Sequence, residues 1–175
     1  MKEKLSIFEE NKWFWPVEVV MLYSIIVWRM ILTIQTELIP VKNIKYAFVY
    51  AAILFATIFI SVLGTYFVSR YVLKELFNNS KINKQVKEIF YKSYFFYYGV
   101  YNVGYAVYLV LSHRPFGKIE QNICSIILFF FISIDIYSKL KKYVVNSRKL
   151  IIFIIIIFVI NSIFPIIGLI KWKWI

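Results

Sequence analysis

The sequence predicts an all-α fold: a polytopic membrane bundle of five transmembrane helices, N-terminus inside and C-terminus outside. Three observations predict it. First, 61% of the 175 residues are hydrophobic and only 17% charged, against about 45–50% and 25% for a soluble domain. A chain this short cannot hide so many large apolar side chains from water. Second, the apolar residues fall into five runs of about 20, the length a helix needs to cross the hydrocarbon core. Third, the basic residues lie almost entirely between those runs, unequally on alternate sides. With only 5 Gly and 4 Pro, disordered and collagen-like classes are excluded.

The first span covers Val17 to Leu38, with Pro16 placed to open it as a first helical residue. This run is too long for the apolar core of a signal peptide and lacks a small-residue cleavage site, so it is expected to stay as an anchor. The second span covers Tyr46 to Val68, and its helical pattern continues through Arg70–Phe77. Asn78-Asn79-Ser80 makes a turn, with Ser80 suited to cap the next helix. Ile82, Val86 and Ile89 then recur at helical spacing. Residues 70–88 should therefore form a helical hairpin reaching into the cytoplasm. The third span covers Ile89 to Leu111, and a tight turn at His113–Gly117 leads to the fourth, Ile119 to Ser138. The fifth runs from Leu150 to Ile170, without a charge from Ile151 on. Trp13, Trp15, Trp172 and Trp174 flank the outer spans as expected interfacial anchors. The whole chain, 1–175, reads as one integral membrane domain.

Orientation follows from the cations. Lys2, Lys4 and Lys12, then Arg70, Lys74, Lys81, Lys84 and Lys87, then Lys139, Lys141, Lys142, Arg148 and Lys149 lie on one side. Lys42, Lys45, Arg114, Lys118, Lys171 and Lys173 lie on the other. Thirteen against six places the first set in the cytoplasm. The formal charge of +12 is thus a topology signal, and no nucleic acid is expected as a partner. The lipid bilayer is, with a homo-oligomer or a membrane protein partner as further possibilities. A bacterial inner membrane is the expected location.

Among residues that could carry chemistry, Arg29 is the sharpest. It lies about 18 Å along the first helix, close to the bilayer centre. A charge there costs at least about 2.5–3.5 kcal/mol, so it should face protein and have a partner. Glu18 shares its face but is about 16 Å away along the axis, and Asp135 is the other candidate, reached through water. Asp135 also has Lys139 four residues on, an ordinary helix pair. In the third span Tyr91, Tyr94, Tyr98, Tyr101, Tyr105 and Tyr108 recur at alternating steps of three and four, a seam on one helix face. Hydroxyls facing lipid at mid-depth would be unsatisfied, so the seam should face other helices or a wet cavity. Arg29, Thr57, Asn102 and Asn161 all fall near mid-depth. Pro165 cannot bond the Asn161 carbonyl. Together they suggest a shared polar layer. Arg29, Tyr98, Tyr101, Asn102, Tyr105 and Asn161 are therefore the candidate ligand-contacting or pore-lining residues. Thr57, Ser61, Thr65 and Ser69, with Gly64, offer a small-residue face for close helix approach.

No catalytic triad, phosphate loop or dinucleotide loop is present. A lone Cys124 and a lone His113 leave no multi-cysteine or two-histidine metal motif. No catalytic residue, metal or cofactor is assigned. Three classes fit. The leading one is a small multi-pass protein acting by association, as accessory subunit, effector or pore-forming oligomer. The second is a small transporter or ligand- or lipid-binding protein with its site around Arg29. The third is an intramembrane lipid-modifying enzyme, for which no acid–base set is visible.

Overall fold

The computed structural model describes residues 14–35, 44–77, 82–144 and 146–172, and among them it is all-α. The five helices are α1 (Phe14–Gln35), α2 (Lys45–Phe77), α3 (Ile82–Ser112), α4 (Lys118–Leu140) and α5 (Ser147–Trp172). α1, α2, α4 and α5 are long and apolar enough to cross a membrane. α3 has the length, at 31 residues, but not the apolarity. Its tyrosines, with Lys92, Ser93 and Asn102, lower its mean hydropathy. The five expected apolar spans thus become four, plus a long central helix of mixed character.

The ends of the helices refine the reading. α1 begins at Phe14 rather than at Pro16. A proline anywhere in the first turn is tolerated, because those N–H groups have no intrahelical partner to lose. α2 does continue through Arg70 to Phe77, and at about 1.5 Å per residue its 33 residues are far longer than a hydrocarbon core of about 30 Å. Ser80 and Glu37 lie outside the described residues, as do the side chains of all four flanking tryptophans. Pro165 sits inside an unbroken α5.

The helices close into a ring in which α1 neighbours α2 and α3, α3 neighbours α4, α4 neighbours α5, and α5 returns to α2. α2 and α3 also touch across it. Register gives the directions. Ile25 meets Gly99 and Arg29 meets Asn102, so α1 and α3 run the same way. Tyr66 meets Tyr91 and Phe59 meets Phe95, so α2 and α3 run opposite ways. Asn122 meets Gly168 and Phe130 meets Phe158, so α4 and α5 do too. The interior is filled from α3: Phe90 and Tyr94 are fully buried, and Phe90 reaches Phe153 of α5 at 6.4 Å between ring centroids. Large aromatic rings let one helix fill a centre that its backbone does not reach.

Candidate functional site

Arg29 lies on the inward stripe of α1 that also holds Leu22, Ile26 and Thr33, all buried. Spacings of four, three and four residues keep the four on one helix face. Its Nη1 donates to Oδ1 of Asn102 at 2.6 Å. Its guanidinium carbon stands 3.8 Å from the centre of the Tyr105 ring, where the quadrupole of the ring attracts a cation. Asn102 is fully buried, and its Nδ2 donates to the Tyr98 carbonyl at 2.7 Å, which fixes the amide with its oxygen towards Arg29. Tyr101 stacks loosely on Tyr105, 6.5 Å between centroids. Arg29, Asn102, Tyr98, Tyr101 and Tyr105 therefore form one polar centre between α1 and α3. Asp135 does not belong to it, and among the described residues no carboxylate lies within ion-pair distance of Arg29. The guanidinium Nε is buried without a hydrogen-bond partner among those residues.

Asn161 belongs to a second centre. Its Nδ2 donates to the Tyr94 hydroxyl at 2.8 Å and to the Ile157 carbonyl at 2.7 Å. Its Oδ1 accepts from Thr65 at 3.1 Å. This centre ties α2, α3 and α5 together. The expected single layer is thus two separate centres, because α3 stands between α1 and α5 and turns a different tyrosine to each. Thr57 joins neither. Its hydroxyl bonds the Ile53 carbonyl of its own helix and faces outward. Gly64 likewise faces outward, with open space where a Cβ would be. Each step of four residues overshoots a turn by about 40°, so the stripe from Thr57 to Ser69 swings about 120° around α2. Only Thr65 and Ser69 end up buried.

A third cluster lies between α3 and α4. Ser93, fully buried, donates to Oδ2 of Asp135 at 2.6 Å, and Lys139 donates to the same oxygen at 2.6 Å and to Ser93 Oγ at 3.3 Å. The i,i+4 spacing made the ion pair legible, but nothing in the run around Ser93 marked that serine as its third member.

Tyr105 and Tyr108 pack against Phe116 of the α3–α4 turn, at 4.7 Å and 4.4 Å. Glu120 holds that turn. It accepts two bonds from Arg114, at 3.2 Å and 2.7 Å, and one from the Gly117 N–H at 2.7 Å. The Arg114 guanidinium is held above its ordinary value by those hydrogen bonds.

A cleft of about 310 Å³ opens between α1 and α3. Its walls include Met21, Ile25, Phe96, Gly99 and Val103, with Glu18 at one end. Glu18 Oε2 is buried and has no hydrogen-bond partner among the described residues. Glu18, weighed in the sequence only as a distant partner for Arg29, lines a cleft that no local pattern marks. Among the described residues no three His, Cys, Asp or Glu side chains converge to hold a metal.

Compared with known protein families, with characterised proteins and with solved structures, the chain finds no match.

Proposed function

We propose that this is a five-span protein of a bacterial inner membrane, N-terminus in the cytoplasm and C-terminus outside, that works by association within the bilayer. It acts there as an accessory subunit, effector or self-assembling oligomer. α3 is the fifth span. Its tyrosine face is covered by α1, α2, α4 and α5, so a helix of modest hydropathy is sheltered from lipid.

One observation carries the reading. The two amides at mid-depth are used between helices: Asn102 on Arg29, and Asn161 on Thr65 and Tyr94. Polar groups satisfied this way fasten a bundle together, and what the bundle offers to its surroundings is apolar, from Leu111 to Phe164. Cross-linking in native membranes, followed by purification in mild detergent, tests this. The expected result is a discrete species larger than the 21.0 kDa chain. A monomer that by itself transports or converts a solute in defined vesicles would sink the proposal. Reporter fusions at both termini test the orientation, which fails if the two ends report the same side.

A second reading has its own support. Arg29 has the neutral Asn102 and Tyr105 against it and, among the described residues, no carboxylate within ion-pair distance. A buried guanidinium without an acid suits an anionic ligand or an acidic partner helix. Arg29→Gln would then abolish binding or complex formation while leaving the folded protein in the membrane, and an unchanged complex would exclude this role.

A further inference from the structure

The α1–α3 cleft has a depth and a polarity that together describe an occupant. α1 and α3 run side by side in the same direction, with Ile25 opposite Gly99, whose missing side chain hollows the α3 side of the cleft. A Cβ built there would come within 3.6 Å of Ile25 Cδ1. The cleft begins at Glu18 and reaches Val103. Seven residues separate Glu18 from Ile25 on α1, and four separate Gly99 from Val103 on α3. At 1.5 Å per residue this is about 16 Å, close to half of a hydrocarbon core of about 30 Å. The cleft is therefore one leaflet deep. Its outer wall is open to lipid, since Met21, Phe96 and Val100 are each more than half exposed. A slot between two packed helices, narrow and floored by a glycine, fits an extended hydrocarbon chain better than it fits another helix.

The end of the slot is not apolar. Glu18 lines it, and its Oε2 is buried with no hydrogen-bond partner among the described residues. Left so in the membrane, it would cost the desolvation of a charged or polar group. An acid unpartnered among the described residues thus lies at one end of an acyl-length slot.

We propose that the α1–α3 cleft binds one phospholipid bearing a primary amine, its ammonium donating to Glu18 and one acyl chain lying along Gly99 to Val103. A primary ammonium offers three donors to the carboxylate, whereas a choline head group offers none and a glycerol head group offers no cation. The proposal rests on the five-span arrangement, which puts Glu18 at head-group level in the cytoplasmic leaflet.

Native mass spectrometry of the full chain tests it, with the protein released from nanodiscs holding equal amounts of phosphatidylethanolamine, phosphatidylcholine and phosphatidylglycerol. Wild type should retain one phosphatidylethanolamine about ten-fold over phosphatidylcholine, a ratio equal to roughly 1.4 kcal/mol. Glu18→Gln should bring the two lipids to parity. Val103→Phe and, separately, Val100→Phe should fill the slot and lower the adducts of all three lipids. Ile155→Phe, a lipid-facing change on α5, should alter nothing. Equal retention of the three lipids by wild type overturns the proposal. So does retention unchanged in Val103→Phe and Val100→Phe, and so does a protein helix cross-linked into the slot from a probe at Val103. Reporter fusions on the same preparations separate the two levels: a wrong orientation defeats the five-span arrangement, and a right one with no amine preference defeats only the lipid site.

Discussion

At Arg29 and Asn102 two penalties can be compared. Removing Asn102 leaves a guanidinium inside an apolar bundle with the Tyr105 ring against it, and an intramembrane charge costs at least about 2.5–3.5 kcal/mol. Removing Arg29 leaves one amide oxygen unpaired, at about 1–3 kcal/mol, and removes the charge as well. Asn102→Leu should therefore lower the melting temperature of the purified protein more than Arg29→Leu does. Adding Arg29→Leu to Asn102→Leu should recover part of the loss. If Arg29→Leu proves the more damaging single change, the hydrogen bond is not what Asn102 contributes. His113 offers a change of the opposite sign. It ends α3 with φ at 50°, its N–H still bonded to the Leu109 carbonyl at 3.0 Å. A side chain in that left-handed region costs roughly 1–2 kcal/mol, and glycine is the usual residue there. His113→Gly should raise thermal stability by up to about 1 kcal/mol, read as an upward shift of the melting curve. Both sites explain why Arg29 was legible in the sequence and its partner was not. A charge in an apolar run announces itself, but Asn102 is one of two amides at that depth, and only the pairing of α1 with α3 selects it.

Among the helices, α3 decides most of the packing. Steps of three and four residues drift only about 20° per seven residues, so its tyrosines hold one broad face along the helix, and that face is the one turned to its neighbours. The four-residue stripe of α2 drifts twice as much in each step and so winds from lipid to core. That difference was calculable from spacing; which end of the α2 stripe would be buried was not. α4 and α5 meet closely at Gly168, where an added Cβ would come within 2.5 Å of Asn122 Nδ2. Gly168→Leu should therefore push α4 and α5 apart where Asn122 meets Gly168 and destabilise the protein, whereas Gly64→Leu, which points into open space, should be tolerated. Melting curves of the two variants that cannot be told apart would refute the close approach. In the third cluster, Ser93→Ala removes one donor and should cost about 0.5–1.5 kcal/mol. Asp135→Leu strands Lys139 and Ser93 together and should cost more.

For the molecule as a whole, the ring order can be checked by chemistry. In a Cys124→Ser background, Ile25→Cys with Gly99→Cys should be joined by a short bifunctional maleimide, and so should Asn122→Cys with Gly168→Cys. Ile25→Cys with Gly168→Cys should not, because α1 and α5 are not neighbours. Cross-linking of that last pair within one chain would break the arrangement. Composition, run length and the placement of lysines and arginines were enough to read helices, their approximate limits and an expected orientation. These depend on the cost of exposing apolar groups to water and polar backbone to lipid, costs that each segment meets separately. Which polar side chain meets which was settled by packing. Arg29 reached Asn102 and not Asp135, and Asn161 joined Thr65 and Tyr94 rather than Arg29, because hydrogen bonds act over about 3 Å and no local pattern sets the distance between residues some seventy positions apart. The cleft at Glu18 has the same origin: it exists only where α1 and α3 lie side by side over a glycine.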